Sequence, residues 1–194
     1  MHLTASPVDW YAARAAGVVA YLLLTSVVVL GLALAGKARI QGWPRFAVED
    51  VHRFGGLLTG AFVALHVATI GIDSFVGFSL TQLVVPFAAS YRPFWTWLGF
   101  VALELLIALA IANRFRDRLS YRFWRRTHYL NFAVWGLATV HTLGAGTDRG
   151  SAWLLPLVIA STASVCVAAV LRLRAPNGRA RPRRSGAGGL SPSP

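Results

Sequence analysis

Residues 52–66, HRFGGLLTGAFVALH, form a long apolar run with a histidine at each end. A second stretch, HYLNFAVWGLATVH at residues 128–141, has the same layout. An ionisable residue inside a membrane span is costly, and it usually faces the interior of a helix bundle for a functional reason. Together the two stretches predict two membrane helices whose histidines lie inside a bundle.

The rest of the chain extends this pattern to five apolar stretches, each able to cross a hydrocarbon core as a helix of about 20 residues. Lipid offers no water to backbone polar groups, so such spans are helical. In agreement, 56% of the 194 residues are hydrophobic and 13% are charged, whereas about a quarter are charged in soluble domains. The sequence predicts an all-α integral membrane bundle over residues 12–174. The predicted spans are residues 12–36, 52–72, 93–113, 128–144 and 152–173.

The basic residues orient this bundle, because cytoplasmic loops carry the excess of Lys and Arg. Sixteen of them fall on the side that includes the C-terminus, and three, Arg14, Arg92 and Arg149, fall on the other side. We therefore expect residues 1–11 to be extracytoplasmic and the C-terminus to be cytoplasmic. The first span is expected to be retained rather than cleaved as a signal peptide, because its positive cluster follows the apolar run.

Two segments outside the spans are expected to have other structures. Residues 73–92 are apolar but interrupted by Gly77 and Pro86, which predicts an interfacial or re-entrant loop over one end of the bundle. Residues 175–194 are rich in Pro, Gly, Ser and Arg, which predicts a disordered basic tail that contacts anionic lipid. The abundance of Arg and Ala suggests a bacterial gene, so the expected location is the inner membrane.

Composition also excludes several functional classes. The net charge of +12 is clustered between apolar runs, which excludes a disordered polycation and an ordinary nucleic-acid-binding domain with a basic face. Cys166 is the only cysteine, so the chain has no disulfide framework and no thiolate zinc site. We therefore expect membrane lipid, and no nucleic acid, among its partners.

Four of the five histidines are predicted to form two pairs, while His2 is assigned no role. The spacing is 14 residues between His52 and His66 and 13 between His128 and His141, which at the helical rise is about 20 Å. One span separates the two helices, so they run parallel. His52 then shares a level with His128, and His66 shares a level with His141. Two facing imidazoles are the axial ligands of six-coordinate haem iron, whereas zinc needs four converging ligands.

Two features of these spans qualify the pairing. Gly60 and Gly136 each follow the first histidine of their span by eight residues, which predicts thinned helices beside a flat macrocycle. Ordinary small-residue helix packing of Gly56-x-x-x-Gly60 is the alternative. On an ideal helix, 13 residues leave His141 about 140° around the axis from His128. Either the fourth helix is irregular, with a bulge near Gly136, or its two ligands meet their haems from different azimuths.

These motifs resemble the ferric reductase-like transmembrane family, which includes NADPH oxidases and the haem-binding membrane subunit of a bacterial methionine sulfoxide reductase system. The resemblance covers roughly residues 37–173. Its motifs are His52-Arg53-x-Gly55 running to Leu65-His66, and Trp124-Arg125-x-x-His128-x-Leu130 running to His141. It implies a cytochrome b core with two stacked b haems, whose iron ligands are His52, His66, His128 and His141.

The resemblance also implies electron transport across the membrane. Relatives usually continue into a flavin- and nicotinamide-binding module, but no G-x-G-x-x-G follows a strand in this chain. We therefore expect electrons to come from a separate cytoplasmic flavoprotein or from quinol, with flavin present only through that partner. They would pass from the His52/His128 haem to the His66/His141 haem and then to an extracytoplasmic acceptor. Whether this oxidoreductase subunit acts as an enzyme by itself stays open.

Four residues near the cytoplasmic histidines are candidates for a role at the haem. Arg53, Arg125 and Arg126 lie within about one turn of His52 or His128 and are predicted to bind haem propionates. Plain positive-inside anchoring is the alternative. Trp124 fits an interface anchor equally well.

Four further residues are candidates elsewhere in the bundle. At the outer side, Tyr91, Arg92 and Arg149 are candidates for contact with propionates or with the acceptor. Glu104 is the one acid within a span, and an intramembrane carboxyl suggests function. It is expected either to bond a helix neighbour in its protonated form or to assist proton movement.

Two rival interpretations remain. A non-redox polytopic protein, such as a metal transporter or an assembly factor, would use the histidines for metal binding or packing, but it leaves the two matched levels unexplained. In the other, only one pair holds haem, and the second pair is structural or holds a different cofactor such as flavin.

Overall fold

The structure is a computed structural model that describes residues 7–36, 42–72, 87 and 91–175. In these residues the chain forms helices and turns and no strand, which confirms the all-α prediction. The α-helices are α1 (Pro7–Ala35), α2 (Arg45–Ile72), α3 (Pro93–Arg114), α4 (Tyr121–His128), α5 (Asn131–Ala145) and α6 (Leu154–Arg174). Short 3-10 turns follow α3 at Arg116–Arg118 and α5 at Thr147–Gly150. The predicted tail after residue 175, most of the predicted 73–92 loop and residues 1–6 lie outside the described residues.

Four helices of the described part are long and apolar enough to cross a membrane, so the chain is a multi-pass membrane protein. They are Trp10–Ala35 within α1, together with α2, α3 and α6. The fourth predicted span, residues 128–144, is wrong as a single helix, because α4 ends at His128 and α5 begins at Asn131. With 15 residues, α5 is about 22 Å long, which is shorter than the roughly 30 Å of a hydrocarbon core.

The helices pack as two antiparallel pairs. The first pair is α1 with α2, since Ala13 of α1 lies beside His66 and Val27 lies beside His52. The second is α3 with α5, since Trp95 near the start of α3 hydrogen-bonds His141 near the end of α5. In this second pair the Trp95 indole lies directly against Gly144, where no side chain fits.

The core joins α1, α3, α5 and α6 and leaves α2 at one side. Its main cluster consists of Leu24, Val28, Leu32, Ala102, Leu109, Val134 and Val165. Hydrogen bonds from the Trp135 indole to the Thr25 hydroxyl, 3.1 Å, and from Thr139 to the Tyr21 hydroxyl, 3.3 Å, connect α5 to α1. Among the described helices, α2 packs extensively only against α1. In the apolar span of α2, 6% of the residues are buried, whereas 22–28% are buried in the spans of α1, α3 and α6.

An irregularity between His128 and His141, which was one of the two alternatives for their spacing, lies at Tyr129 and Leu130. There the backbone N–H groups of Tyr129 and Leu130 bond the oxygens of Arg126 and Thr127, three residues back, at 3.2 and 2.9 Å. Such 3-10 winding turns the chain by about 120° per residue instead of about 100°. The bulge expected near Gly136 is therefore wrong, because α5 runs unbroken through that residue. The tighter turn follows His128 directly and reorients it relative to His141.

Candidate functional site

The four histidines form the two pairs that their depth along the helices predicts. The rings of His52 and His128 have centroids 6.4 Å apart and planes at 62°. Those of His66 and His141 also have centroids 6.4 Å apart, with planes at 79°. Because α2 is one continuous helix, the two pairs are separated by about 20 Å along its axis.

The equal separation in the two pairs fits one metal ion between two imidazoles. A transition metal binds an imidazole nitrogen at about 2.0 Å, and the ring centre lies roughly 1.1 Å behind that nitrogen, so two rings on opposite sides of one metal have centres about 6 Å apart. The measured 6.4 Å agrees with this distance in both pairs. The spacing therefore has room for one metal ion between the two rings of each pair.

In the part of the chain that the structure describes, each level offers two imidazoles as ligands. Within the described ranges, no group of three or more His, Cys, Asp or Glu side chains is placed to hold a metal ion. A bare zinc ion needs four ligands. An iron porphyrin, by contrast, brings four equatorial nitrogens of its own and takes two axial ligands from the protein. The donor set therefore fits haem.

Backbone carbonyls fix the tautomer of three of the rings. The Nδ1 atoms of His52, His66 and His141 lie 3.0, 2.8 and 2.8 Å from the carbonyl oxygens of Val27, Ala13 and Trp95, respectively. A carbonyl only accepts, so each Nδ1 carries the hydrogen and donates it. The lone pair then sits on Nε2, where a metal binds.

The fourth ring, His128, is held differently. It stacks on the Trp124 indole with centroids 5.3 Å apart and planes at 28°, and the indole N–H donates to Asn113 at 3.3 Å. Its Nδ1 lies 3.5 Å from the side-chain nitrogen of Asn131, which donates to the His128 carbonyl at 2.7 Å. Trp124, which the sequence left as an interface anchor, thus contacts a candidate ligand directly.

Open space lies beside the histidine face of α2. A Cβ atom added at Gly56, one turn after His52, or at Gly60 would meet nothing within 4 Å. Ordinary helix packing of these two glycines is therefore not seen in the described part of the chain, where Gly56 and the neighbouring Leu57 are exposed. Gly136 also borders open space, but it shares its face of α5 with the exposed residues Ala133 and Val140.

A cavity of about 250 Å³ adjoins the His66/His141 pair, and its walls are mainly apolar. Arg14 and Asp148 line it and form an ion pair, with the Arg14 Nε 2.9 Å from a carboxylate oxygen. The Arg14 guanidinium also lies over the Trp10 ring, 5.8 Å from its centroid. From the sequence, Arg14 served only to orient the bundle in the membrane. A lone cation inside an apolar span was the signal that could have identified it.

The three arginines expected at the haem propionates are all exposed, and that role stays a prediction. Arg125 lies with its Nε and Nη2 each 3.4 Å from the Tyr129 hydroxyl. This hydrogen bond raises the pKa of Arg125 above its usual value. Arg53 and Arg126 are likewise exposed on α2 and α4. The structure thus places a basic surface next to His52 and His128.

Two of the outer candidates bind the end of α5. The Arg92 guanidinium donates to the Gly144 oxygen at 2.6 Å and to the Gly146 oxygen at 3.3 Å. The Tyr91 hydroxyl donates to the Ala145 oxygen at 3.3 Å. Carbonyls at a helix C-terminus lack partners within the helix, so both side chains cap α5. Arg149 is exposed and does not join them.

Glu104 faces away from the histidines. It is exposed on α3, on the same side as Ile107 and Ile111, which are 51% and 55% exposed. Within the residues that the structure describes, its carboxyl makes no hydrogen bond, so the expected bond to a helix neighbour is not seen there.

Comparison with models of protein families gives a match to this chain. A family model described as Ferric reductase like transmembrane component matches residues 16–139. This range contains three of the four paired histidines and ends two residues before His141. No solved structure matches the chain.

Proposed function

The chain belongs to the ferric reductase-like transmembrane family, and on that premise we propose that it is a b-type membrane cytochrome with two haems. His52 and His128 would hold one haem, and His66 and His141 the other. The observation that supports this most strongly is the identical 6.4 Å separation of the two imidazole pairs. A packing role gives no reason for two equal separations at two levels, and a bare metal ion would need more ligands than the two imidazoles found at each level of the described chain.

Bound haem iron supplies reversible one-electron oxidation and reduction. The side chains of this protein would bind, orient and seclude it. With two histidines of this chain holding each haem, the iron would have no free position for oxygen, and the chemistry that it would supply is electron transfer. The carbonyl bonds to Nδ1 hold three rings in the tautomer that binds metal. The apolar walls beside His66 and His141 limit access of water.

The charge distribution supports a direction of electron flow. By the positive-inside rule the His52/His128 pair would lie near the cytoplasm, where a flavoprotein or quinol would deliver electrons. Exposed arginines surround this end, and a basic surface attracts an acidic donor protein as well as anionic lipid. They are Arg114, Arg116, Arg118, Arg122, Arg125 and Arg126. The acceptor would receive electrons at the opposite side, next to His66 and His141.

The haem content of the purified protein tests this proposal. We expect the full chain, purified from membranes in mild detergent, to carry two b haems per chain, with the spectrum of six-coordinate low-spin iron in both oxidation states. One haem per chain would favour the single-haem interpretation. A protein that folds without any chromophore, even when haem is supplied, would contradict the cytochrome and support the non-redox alternative.

A further inference from the structure

A glycine lies beside each of three histidine rings, four residues after the carbonyl that the ring binds. The carbonyl residues are Ala13, Val27 and Trp95, and the glycines that follow them are Gly17, Gly31 and Gly99. The first two sets lie on α1 and hold rings from α2, and the third lies on α3 and holds a ring from α5. The same arrangement therefore occurs three times, at two helix interfaces.

Helix geometry explains the spacing of four. Residues i and i+4 are neighbours on one face of a helix, and the Cα–Cβ bond leans towards the N-terminus. The side chain at i+4 therefore leans over the carbonyl oxygen of residue i. A glycine at i+4 uncovers this oxygen, so that a donor from another helix can reach it.

The distances show how little room remains. A Cβ atom at Gly17 would lie 3.0 Å from both Cε1 and Nδ1 of His66, and one at Gly31 would lie 3.2 Å from Cε1 of His52. At Gly99 it would lie 2.6 Å from Cε1 of His141 and 2.7 Å from its Nδ1. Contacts under 3.0 Å force one partner to move. Alanine at Gly99 would therefore displace the ring most, and alanine at Gly31 least.

Other glycines of the bundle do not share this feature. A Cβ at Gly56, Gly60 or Gly136 would meet nothing within 4 Å. The fourth ring, His128, stacks on Trp124 instead. A close glycine thus lies beside each ring that donates to a backbone carbonyl. Among the described residues, none lies beside the His128 ring, which makes no such bond.

We propose that Gly17, Gly31 and Gly99 are positioning residues that set the orientation and the tautomer of His66, His52 and His141. The inference rests on the proposed function, because these rings are the proposed haem ligands. A ring whose Nδ1–H donates to a carbonyl is a more basic ligand through Nε2, which favours the oxidised iron. Loss of that bond should therefore raise the midpoint potential of the affected haem.

Single glycine-to-alanine variants of the full chain test this proposal by optical spectroscopy and redox titration. Gly31→Ala should keep both haems and raise the potential of the His52/His128 haem alone. Gly17→Ala should raise the potential of the His66/His141 haem alone, and Gly99→Ala should lose that haem. Gly136→Ala is the matched control in a helix interior, and it should retain both haems at unchanged potentials.

A second measurement keeps this test separate from the test of haem binding. In haem-free protein labelled with 15N-histidine, NMR should show Nδ1 protonated in His52, His66 and His141, and each alanine variant should change the signal of its own ring. If the wild type bound no haem, the proposed function would fail while this result still supported positioning. Variants that match Gly136→Ala in both measurements, or that lose haem with Nδ1 protonation unchanged, would overturn the inference.

Discussion

Replacing His66 or His141 with alanine is expected to remove the same one of the two haems and to leave the other bound. The two rings face each other at 6.4 Å, so either substitution leaves the iron at that level without one axial ligand. His52→Ala and His128→Ala should instead remove the other haem. The measurement is the haem-to-protein ratio, together with the reduced spectrum, of each purified variant.

The test of the pairing is which haem each histidine variant loses. His2→Ala, which changes a histidine outside the spans, is the control and should retain both haems. Identical spectra for His52→Ala and His66→Ala, with different spectra for His66→Ala and His141→Ala, would contradict the pairing. If a His→Ala variant loses both haems, the same histidine is replaced by glycine instead. Added imidazole should then serve as the missing ligand and restore the binding of both haems.

Electron transfer across a membrane is expected to depend on both pairs. In vesicles that contain the wild-type protein and trapped ferricyanide, a membrane-impermeant reductant outside should reduce the trapped acceptor. The two levels lie about 20 Å apart along α2, so loss of either haem leaves a long gap without a redox centre. His52→Ala and His66→Ala should each lower the rate to that of protein-free vesicles.

Two controls accompany the vesicle experiment. His2→Ala should transfer electrons at the wild-type rate, and protein-free vesicles report leakage of the reductant. A His66→Ala protein that lacks one haem and still reduces trapped ferricyanide at the wild-type rate would contradict a path through both levels.

The pairing of the histidines was predictable because helix geometry fixes depth. A rise of about 1.5 Å per residue converts the spacings of 14 and 13 into nearly equal distances, and one intervening span makes the two helices parallel. No knowledge of helix packing is needed to place His52 level with His128. The same arithmetic predicted either an irregularity between His128 and His141 or ligands that meet their haems from different azimuths.

The position of that irregularity was not predictable from the sequence. Gly136 was the expected place because glycine is the weakest helix former in the stretch. The structure has the tight turn at Tyr129 and Leu130, which are ordinary residues for a helix interior. Contacts between helices at this turn, such as that of the His128 ring with the His52 ring of α2, are properties of the packed bundle that a single sequence does not show.

The groups that hold the rings were missed for a related reason. Backbone carbonyls carry no signature in a sequence, and which helix faces a histidine is a property of the packed bundle. One signal was present, since Gly17 and Gly31 on α1 are 14 residues apart, as are His52 and His66 on α2. In an antiparallel helix pair, equal spacings place both contacts in register.

An experimental density map of the purified full chain would show directly whether a haem lies between the histidines of each pair. We expect it to show a flat macrocycle between His52 and His128 and another between His66 and His141, each with an imidazole nitrogen on both sides of the iron. A map in which the two rings of each pair touch with no group between them would contradict haem binding by these pairs. A map in which any of the four rings turns towards lipid would contradict it as well.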